Sequence, residues 1–276
     1  YAKTNVSVSS NADAGGLIGL VKIGTVYKTY SSGSVTNLGS GAPSGVGGLI
    51  GRLGTGVQAP VDVSVAGFWD TTLSGQSTSA AGVGLDTAST MRWSSLSQFN
   101  LNTNEFWLNY YGKSAPLLKP FLTPLTITAS NASKTYDGLA YAGAQGFSTS
   151  VSTNSYLMGA DTVSYGGSAA TAVNAGSYAI VPSGLYSNDN RGYAISYANG
   201  TLTIQKADLT LSGTRPYDGS TVMAGAYLTA NGVNGETFSV VGDGAAGNLS
   251  TRNVQTAQPM LSSLWVPNQW SVISSL

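Results

Sequence analysis

The chain has 276 residues, a formal net charge of zero, only 9% charged residues, and neither cysteine nor histidine. The missing cysteine excludes disulfides, thiolate nucleophiles and Cys-zinc sites. The missing histidine removes the usual general base and the commonest transition-metal ligand. No cluster of Lys and Arg offers a nucleic-acid surface, so no nucleic-acid partner is expected.

Glycine, serine and threonine abound, but hydrophobic residues still make up 42% of the chain. β-Branched and aromatic residues recur along its length, so the composition points to a folded all-β protein rather than disorder. The length implies two or three domains. No apolar run reaches the roughly 18 residues of a membrane-spanning helix, and no signal peptide is visible.

The first third repeats itself. Gly-Gly-Leu-Ile-Gly occurs at Gly15–Gly19 and again at Gly47–Gly51, and Tyr1-Ala-Lys-Thr-Asn-Val6 matches Tyr30-Ser-Ser-Gly-Ser-Val35. Such a period predicts a β-solenoid (parallel β-helix) over residues 1–85, with Leu17, Ile18, Leu49 and Ile50 inside. The chain then opens within a repeat, as a piece of a longer protein would. Val61, Val63 and Val65 alternate with polar residues, the pattern of a half-buried strand.

Residues 86–124 read as a cap and linker. Thr87–Trp93 is the best short helix, and Trp93, Leu96, Phe99, Phe106, Trp107 and Tyr110 supply aromatic cover for an exposed solenoid end. Pro116, Pro120 and Pro124 punctuate the linker.

A second repeat starts at Leu125. Leu125-Thr-Ile-Thr128 leads to Lys134-Thr-Tyr-Asp-Gly138, and Asp208-Leu-Thr-Leu211 leads to Arg215-Pro-Tyr-Asp-Gly219. Gly159-Ala-Asp-Thr-Val-Ser164 parallels Asn234-Gly-Glu-Thr-Phe-Ser239, and Tyr193-Ala-Ile-Ser196 parallels Trp270-Ser-Val-Ile273. These copies predict two small domains, 125–206 and 207–276, each a β-sandwich or a β-grasp-like fold. The second lacks a match to Thr201–Gln205 and so reads as incomplete. That would leave a sheet edge to be paired by another molecule or covered by Leu261–Trp270.

Gly-Gly-Leu-Ile-Gly is similar to the GLUG motif of bacterial surface proteins. Phe68-Trp-Asp-Thr-Thr-Leu-Ser-Gly75 and the residues to Leu85, continued by Thr87–Met91, resemble the end of the β-helical shaft in filamentous-haemagglutinin-type exoproteins. Leu125–Lys206 resembles an MBG repeat, and the chain from Ala207 its YDG relative. The resemblance implies a secreted or cell-surface adhesin of a Gram-negative bacterium, exported by two-partner secretion through an outer-membrane transporter. The amino-terminal secretion domain of that family is not in this chain; some members end in a Cys-containing retention segment, a mode of anchoring that the resemblance does not carry over to a sequence without cysteine.

Asp137 and Asp218 are the candidates for carboxylate chemistry. Their Tyr-Asp-Gly setting argues instead for turns in which aspartate bonds nearby backbone and glycine takes positive φ. Asn188-Asp-Asn190 is the nearest approach to a cation ligand set, but it holds a single carboxylate. Gly242-Asp-Gly-Ala-Ala-Gly247 lacks the Gly-Lys-Ser/Thr of a phosphate loop and reads as a strand connection. Asn5, Asn131, Asn199 and Asn248 open Asn-x-Ser/Thr triplets, common by chance in this composition.

No catalytic residue, metal or cofactor is therefore expected. Trp265 and Trp270, with Tyr178, Tyr186, Tyr193 and Tyr197, could form an aromatic face for sugar, against a plainer role in cross-strand packing. Three functions follow. The first is an adhesive stalk that binds a surface glycan, a host receptor or matrix polysaccharide. The second is a matrix subunit that associates with itself. The third, a polysaccharide-acting enzyme, is disfavoured because no carboxylate cluster repeats on one solenoid face.

Overall fold

The computed structural model describes residues 5–8, 12–38, 45–54, 63–92, 106–143, 146–240, 245–249, 251–254, 260–261 and 270–272. The fold is all-β. The α-helices among these residues are two single turns, α1 (Thr71–Ser74) and α2 (Thr87–Thr90). No helix among them is long and apolar enough to cross a membrane. The chain forms two compact units. One comprises residues 1–125, 151–162 and 185–195; the other comprises 126–150, 163–184 and 196–276.

Up to Leu85 the described strands of the first unit are short and paired in one direction, in small, mostly separate sheets. In chain order they are β1 (Val6–Val8), β2 (Ala14–Gly15), β3 (Ile18–Val21), β4 (Gly24–Ser31), β5 (Val35–Asn37), β6 (Val46–Gly47), β7 (Ile50–Leu53), β8 (Val63–Asp70) and β9 (Val83–Leu85). β1 pairs with β5, β2 with β6, β3 with β7, β4 with β8, and β8 with β9, all parallel. The sequence repeats lie in register. Val6 faces Val35, Gly15 faces Gly47 and Ile18 faces Ile50.

Each Gly-Gly pair is needed for close approach. A Cβ on Gly15 or Gly47 would strike the carbonyl oxygen of Ile18 or Ile50, and one on Gly48 would enter the Trp69 indole. Leu49 and Ile50 are fully buried with Val21 and Trp69, while Leu17 and Ile18 pack against them half-buried. The next stretch of chain adds a further tier. Ser79 Oγ accepts from Leu49 N and Ile50 N, and Ala80 N donates to Ile50 O.

The Phe68–Gly75 stretch locks this end of the stack. Asp70 is fully buried. Its Oδ1 accepts from Thr72 N (3.0 Å) and Leu73 N (2.9 Å), capping α1, and from Thr87 Oγ1 (2.9 Å) at the start of α2. Trp107 lies in β10 (Trp107–Leu108), which pairs antiparallel with β11 (Leu117–Leu118). Its side chain packs with Tyr30 and Phe68, whose rings stack at 4.7 Å. Of the other aromatics expected here, Trp93, Leu96 and Phe99 lie outside the described residues, and Phe106 is 47% exposed.

The second unit holds most of two small sheets per repeat, with the first residues of β12 (123–125) and of β17 (193–195) counted in the first unit. Its strands are β12 (Thr123–Ala129), β13 (Ala132–Thr135), β14 (Phe147–Thr149), β15 (Ser164–Gly166), β16 (Gly176–Ser183), β17 (Tyr193–Ala198), β18 (Gly200–Gln205), β19 (Ala207–Gly213), β20 (Val222–Ala224), β21 (Leu228–Asn231), β22 (Thr237–Ser239), β23 (Ala245–Leu249), β24 (Met260–Leu261) and β25 (Trp270–Val272).

The opening strand of each repeat has the same neighbours. β12 pairs antiparallel with β14, placing Ile127 opposite Thr149, and is flanked on its other side by β17. β19 pairs antiparallel with β21, placing Leu211 opposite Ala230, and is flanked on its other side by β25. Trp270–Val272 therefore occupies the place that its match to Tyr193–Ser196 predicts. The remaining sheets differ in plan. In the first repeat the order is β13-β18-β16-β15, and in the second it is β20-β23-β24. Residues 262–269, proposed from sequence as part of an edge cover, lie outside the described residues.

β18 and β19 are nearly one continuous strand, and both feed one core. Gly200, Leu202 and Ile204 are buried, then Ala207, Leu209 and Leu211. The alternation slips by one at Gln205 and Lys206, two exposed residues in succession, so the ribbon turns its opposite face inward. Ala129, Tyr136, Ile180, Leu202 and Ile204 of the first repeat share a single cluster with Leu209, Leu211, Met223 and Leu228 of the second. A β-grasp fold would need a helix; between the described strands β12 to β25 there are only 3-10 turns.

Candidate functional site: the two Tyr-Asp-Gly turns

The turns are local products of their sequence, and they are alike. After β13, Asp137 Oδ1 accepts from Leu139 N (3.0 Å) and from Lys134 Nζ (2.5 Å). Lys134 Nζ also donates to Leu139 O (2.7 Å). After β19, Asp218 Oδ1 accepts from Ser220 N (2.8 Å) and is paired with Arg215, whose guanidinium also donates to Ser220 O. Gly138 and Gly219 both stand at φ +75°, which an L-residue adopts only with strain. A cation at i−3, an aspartate bonding two residues on, and a left-handed glycine thus rebuild one clamp from two different sequences.

In both clamps the aspartate carboxyl is held below the usual carboxylate range, first by its Lys or Arg partner and next by the backbone N–H two residues on. The two carboxylates are shifted in the same direction. Acid–base catalysis by a carboxyl pair needs opposite shifts, one group keeping its proton while the other loses it. Two ionised carboxylates, each neutralised by its own cation, can brace a turn and present a polar surface.

The clamps differ in what covers them. Tyr136 is 6% exposed, while Tyr217 is 65% exposed. Tyr136 Oη donates to Glu236 Oε1 (3.1 Å), Asn234 Nδ2 donates to Asp137 O, and a Cβ on Gly138 would meet Asn234 Nδ2 at 2.8 Å. Asn234 lies in the 3-10 turn Val233–Gly235 before β22, in the second repeat, and Glu236 caps that turn. Burial raises the Tyr136 hydroxyl's pKa, and Glu236 raises it further. A Cβ on Gly219 would find only its own Tyr217 hydroxyl, at 3.9 Å.

The other sequence candidates are dispersed. Tyr193 is buried in the first unit, where its hydroxyl accepts from Asn154 N (2.9 Å). Tyr186, in the same unit, lies under Lys113 (5.6 Å). Tyr178 and Tyr197 belong to the second unit; Tyr178 Oη donates to Asn174 O (2.8 Å) and Tyr197 is 39% exposed. Trp265 lies outside the described residues, and for Trp270 only the backbone of β25 is described. Asp189 pairs with Arg191 within its own loop, and Asn190 Oδ1 accepts from Leu118 N (2.6 Å), tying that loop to β11. Gly242–Gly244 are outside the described residues, and Ala245–Leu249 continue as a strand. Among the described residues no group of three or more acidic side chains is arranged to hold a metal.

Residues 125–203 match the family model described as MBG domain (YGX type). The match spans the first Tyr-Asp-Gly repeat and stops before Ala207, so the kinship of the second repeat rests on its register and its clamp. No curated protein and no solved structure matches the chain. Lys134, Tyr136, Asp137 and Gly138 all lie within the MBG-type module.

Proposed function

We infer that this chain is a stalk-and-module segment of a secreted or cell-surface adhesin. The MBG-type module at 125–203, followed by a second copy with the same opening register, carries this reading. The parallel pairing of β1–β9 supports a β-solenoid end that precedes these modules in the chain, of the kind found in filamentous-haemagglutinin-type exoproteins. Such a rod gains length by stacking coils, and it needs no disulfide or metal to do so. Export by two-partner secretion through an outer-membrane transporter belongs to the same reading.

The partner class is a surface glycan, a host receptor or matrix polysaccharide, bound without turnover. The absence of histidine and cysteine from the sequence and the like-shifted aspartates support a non-enzymatic role. The test is binding of the purified chain to glycan arrays, host cells and immobilised matrix polysaccharide, with released reducing ends measured in parallel. Saturable binding without release is expected. Sugar release abolished by Asp137→Asn or Asp218→Asn would overturn it, as would failure to bind any of these surfaces.

A further inference from the structure

The two clamps share one geometry, yet only the first is covered. Its cover is the turn at Asn234-Gly235-Glu236, whose counterpart in the first repeat is Gly159-Ala160-Asp161. Each lies at a short 3-10 turn, Ala160–Thr162 in the first repeat and Val233–Gly235 in the second, and the aligned Gly159 and Asn234 both take positive φ, +82° and +53°. Both run into a short strand through Thr-Val-Ser or Thr-Phe-Ser. Ala160 and Asp161 are exposed, and so is the second clamp, with Tyr217 at 65% and the Asp218 side chain at 57%. The chain therefore carries one joined pair, Tyr136 with Glu236. Among the described residues it also has one unjoined half of each kind, the Tyr217 clamp and the Asp161 turn.

We propose that the Tyr217-Asp218-Gly219 clamp is a docking socket for the Gly159-Ala160-Asp161 turn of a second copy of this chain. The contact within the second unit supplies the template. Tyr217 Oη would donate to the Asp161 carboxylate as Tyr136 Oη donates to Glu236. Burying the Tyr217 ring would add apolar contact. Socket and turn are different surfaces, so the contact is head-to-tail and extends into chains of molecules rather than closing at a dimer. A contact of one turn on one clamp is small, so association is weak and shows only at high concentration. This inference rests on the equivalence of the two repeats and not on any adhesive ligand, so it can fail or hold independently of the adhesin reading.

The experiment is sedimentation velocity of the full chain over a wide concentration range, with Tyr217→Ala and Asp161→Ala variants. Both side chains are exposed, so both variants should keep the parent melting temperature. The parent should associate progressively. Each variant alone should associate at least about tenfold more weakly, the scale of a lost charge-assisted hydrogen bond. Mixing the two variants should restore a species of two chains and no larger, because one supplies the only intact socket and the other the only intact turn. A parent that stays monomeric at every concentration would overturn the proposal. So would association indifferent to both variants, or a mixture that behaves as its separate parts.

Discussion

The two Tyr-Asp-Gly clamps make the informative comparison in this molecule. Lys134-Thr-Tyr-Asp-Gly138 and Arg215-Pro-Tyr-Asp-Gly219 close the same way, with the same hydrogen bonds and the same glycine φ. Their tyrosines nevertheless differ about tenfold in exposure, 6% against 65%. Local sequence decides the turn; a segment 100 residues further along the chain decides whether it becomes core. A motif can thus be structurally complete and still differ in what it does in each copy.

The largest expected effect breaks the comparison at its buried end. Tyr136→Ala should cost about 3 kcal/mol of stability, the scale of an aromatic removed from a core. Tyr217→Ala should change stability by less than about 0.5 kcal/mol, as exposed substitutions do. Urea unfolding of both variants measures the contrast, and equal losses would show that exposure does not separate the two clamps.

The glycines sharpen it. Gly219→Ala should cost about 1 kcal/mol, from left-handed backbone strain alone. Gly138→Ala should cost more, because its Cβ also meets the Asn234 side chain. Urea midpoints that rank the two the other way would refute the cover over the first clamp.

A smaller effect is expected from pH. The Tyr136 hydroxyl titrates above its ordinary value in the folded protein, so the fold holds its proton more tightly than the unfolded chain does. Its contribution is present below about pH 10 and is lost as pH rises through the folded value. Tyr136→Phe should flatten that alkaline loss in chemical unfolding curves, whereas Tyr217→Phe should leave it. The aspartates act at the other extreme. Their lowered values contribute stability above about pH 4, lost as pH falls through the folded values. Asp137→Asn and Asp218→Asn should each reduce the acid slope slightly, because both pairs are more than half exposed at the carboxylate.

Much of this was legible in the sequence wherever the signal is local or repeated. The two Gly-Gly-Leu-Ile-Gly phrases predicted a β-solenoid with Leu17, Ile18, Leu49 and Ile50 inside; the structure has parallel pairs in small, mostly separate sheets, with Leu49 and Ile50 buried and Leu17 and Ile18 half-buried. The Tyr-Asp-Gly turns could be read because aspartate and glycine carry their geometry with them. The match between Asn234-Gly-Glu and Gly159-Ala-Asp was visible too. What the sequence did not reveal was that one of these turns covers Tyr136, because a contact between distant residues leaves no periodic trace. Nor did it show the slip at Gln205–Lys206, where a single added exposed residue lets both repeats share one core. The packing of Trp107 was anticipated as aromatic cover for an exposed solenoid end, without Tyr30 and Phe68 as its partners.

The central claim is that Glu236 of the second repeat holds Tyr136 of the first, joining the two copies. A double-mutant cycle of Tyr136→Phe and Glu236→Gln, read by urea unfolding, tests it most directly. The structure predicts a coupling energy of about 1.5 kcal/mol, the lower end of the scale for a hydrogen bond to a charged group. Effects that add to within about 0.3 kcal/mol would contradict it, and with it the account of why one clamp is core and the other surface.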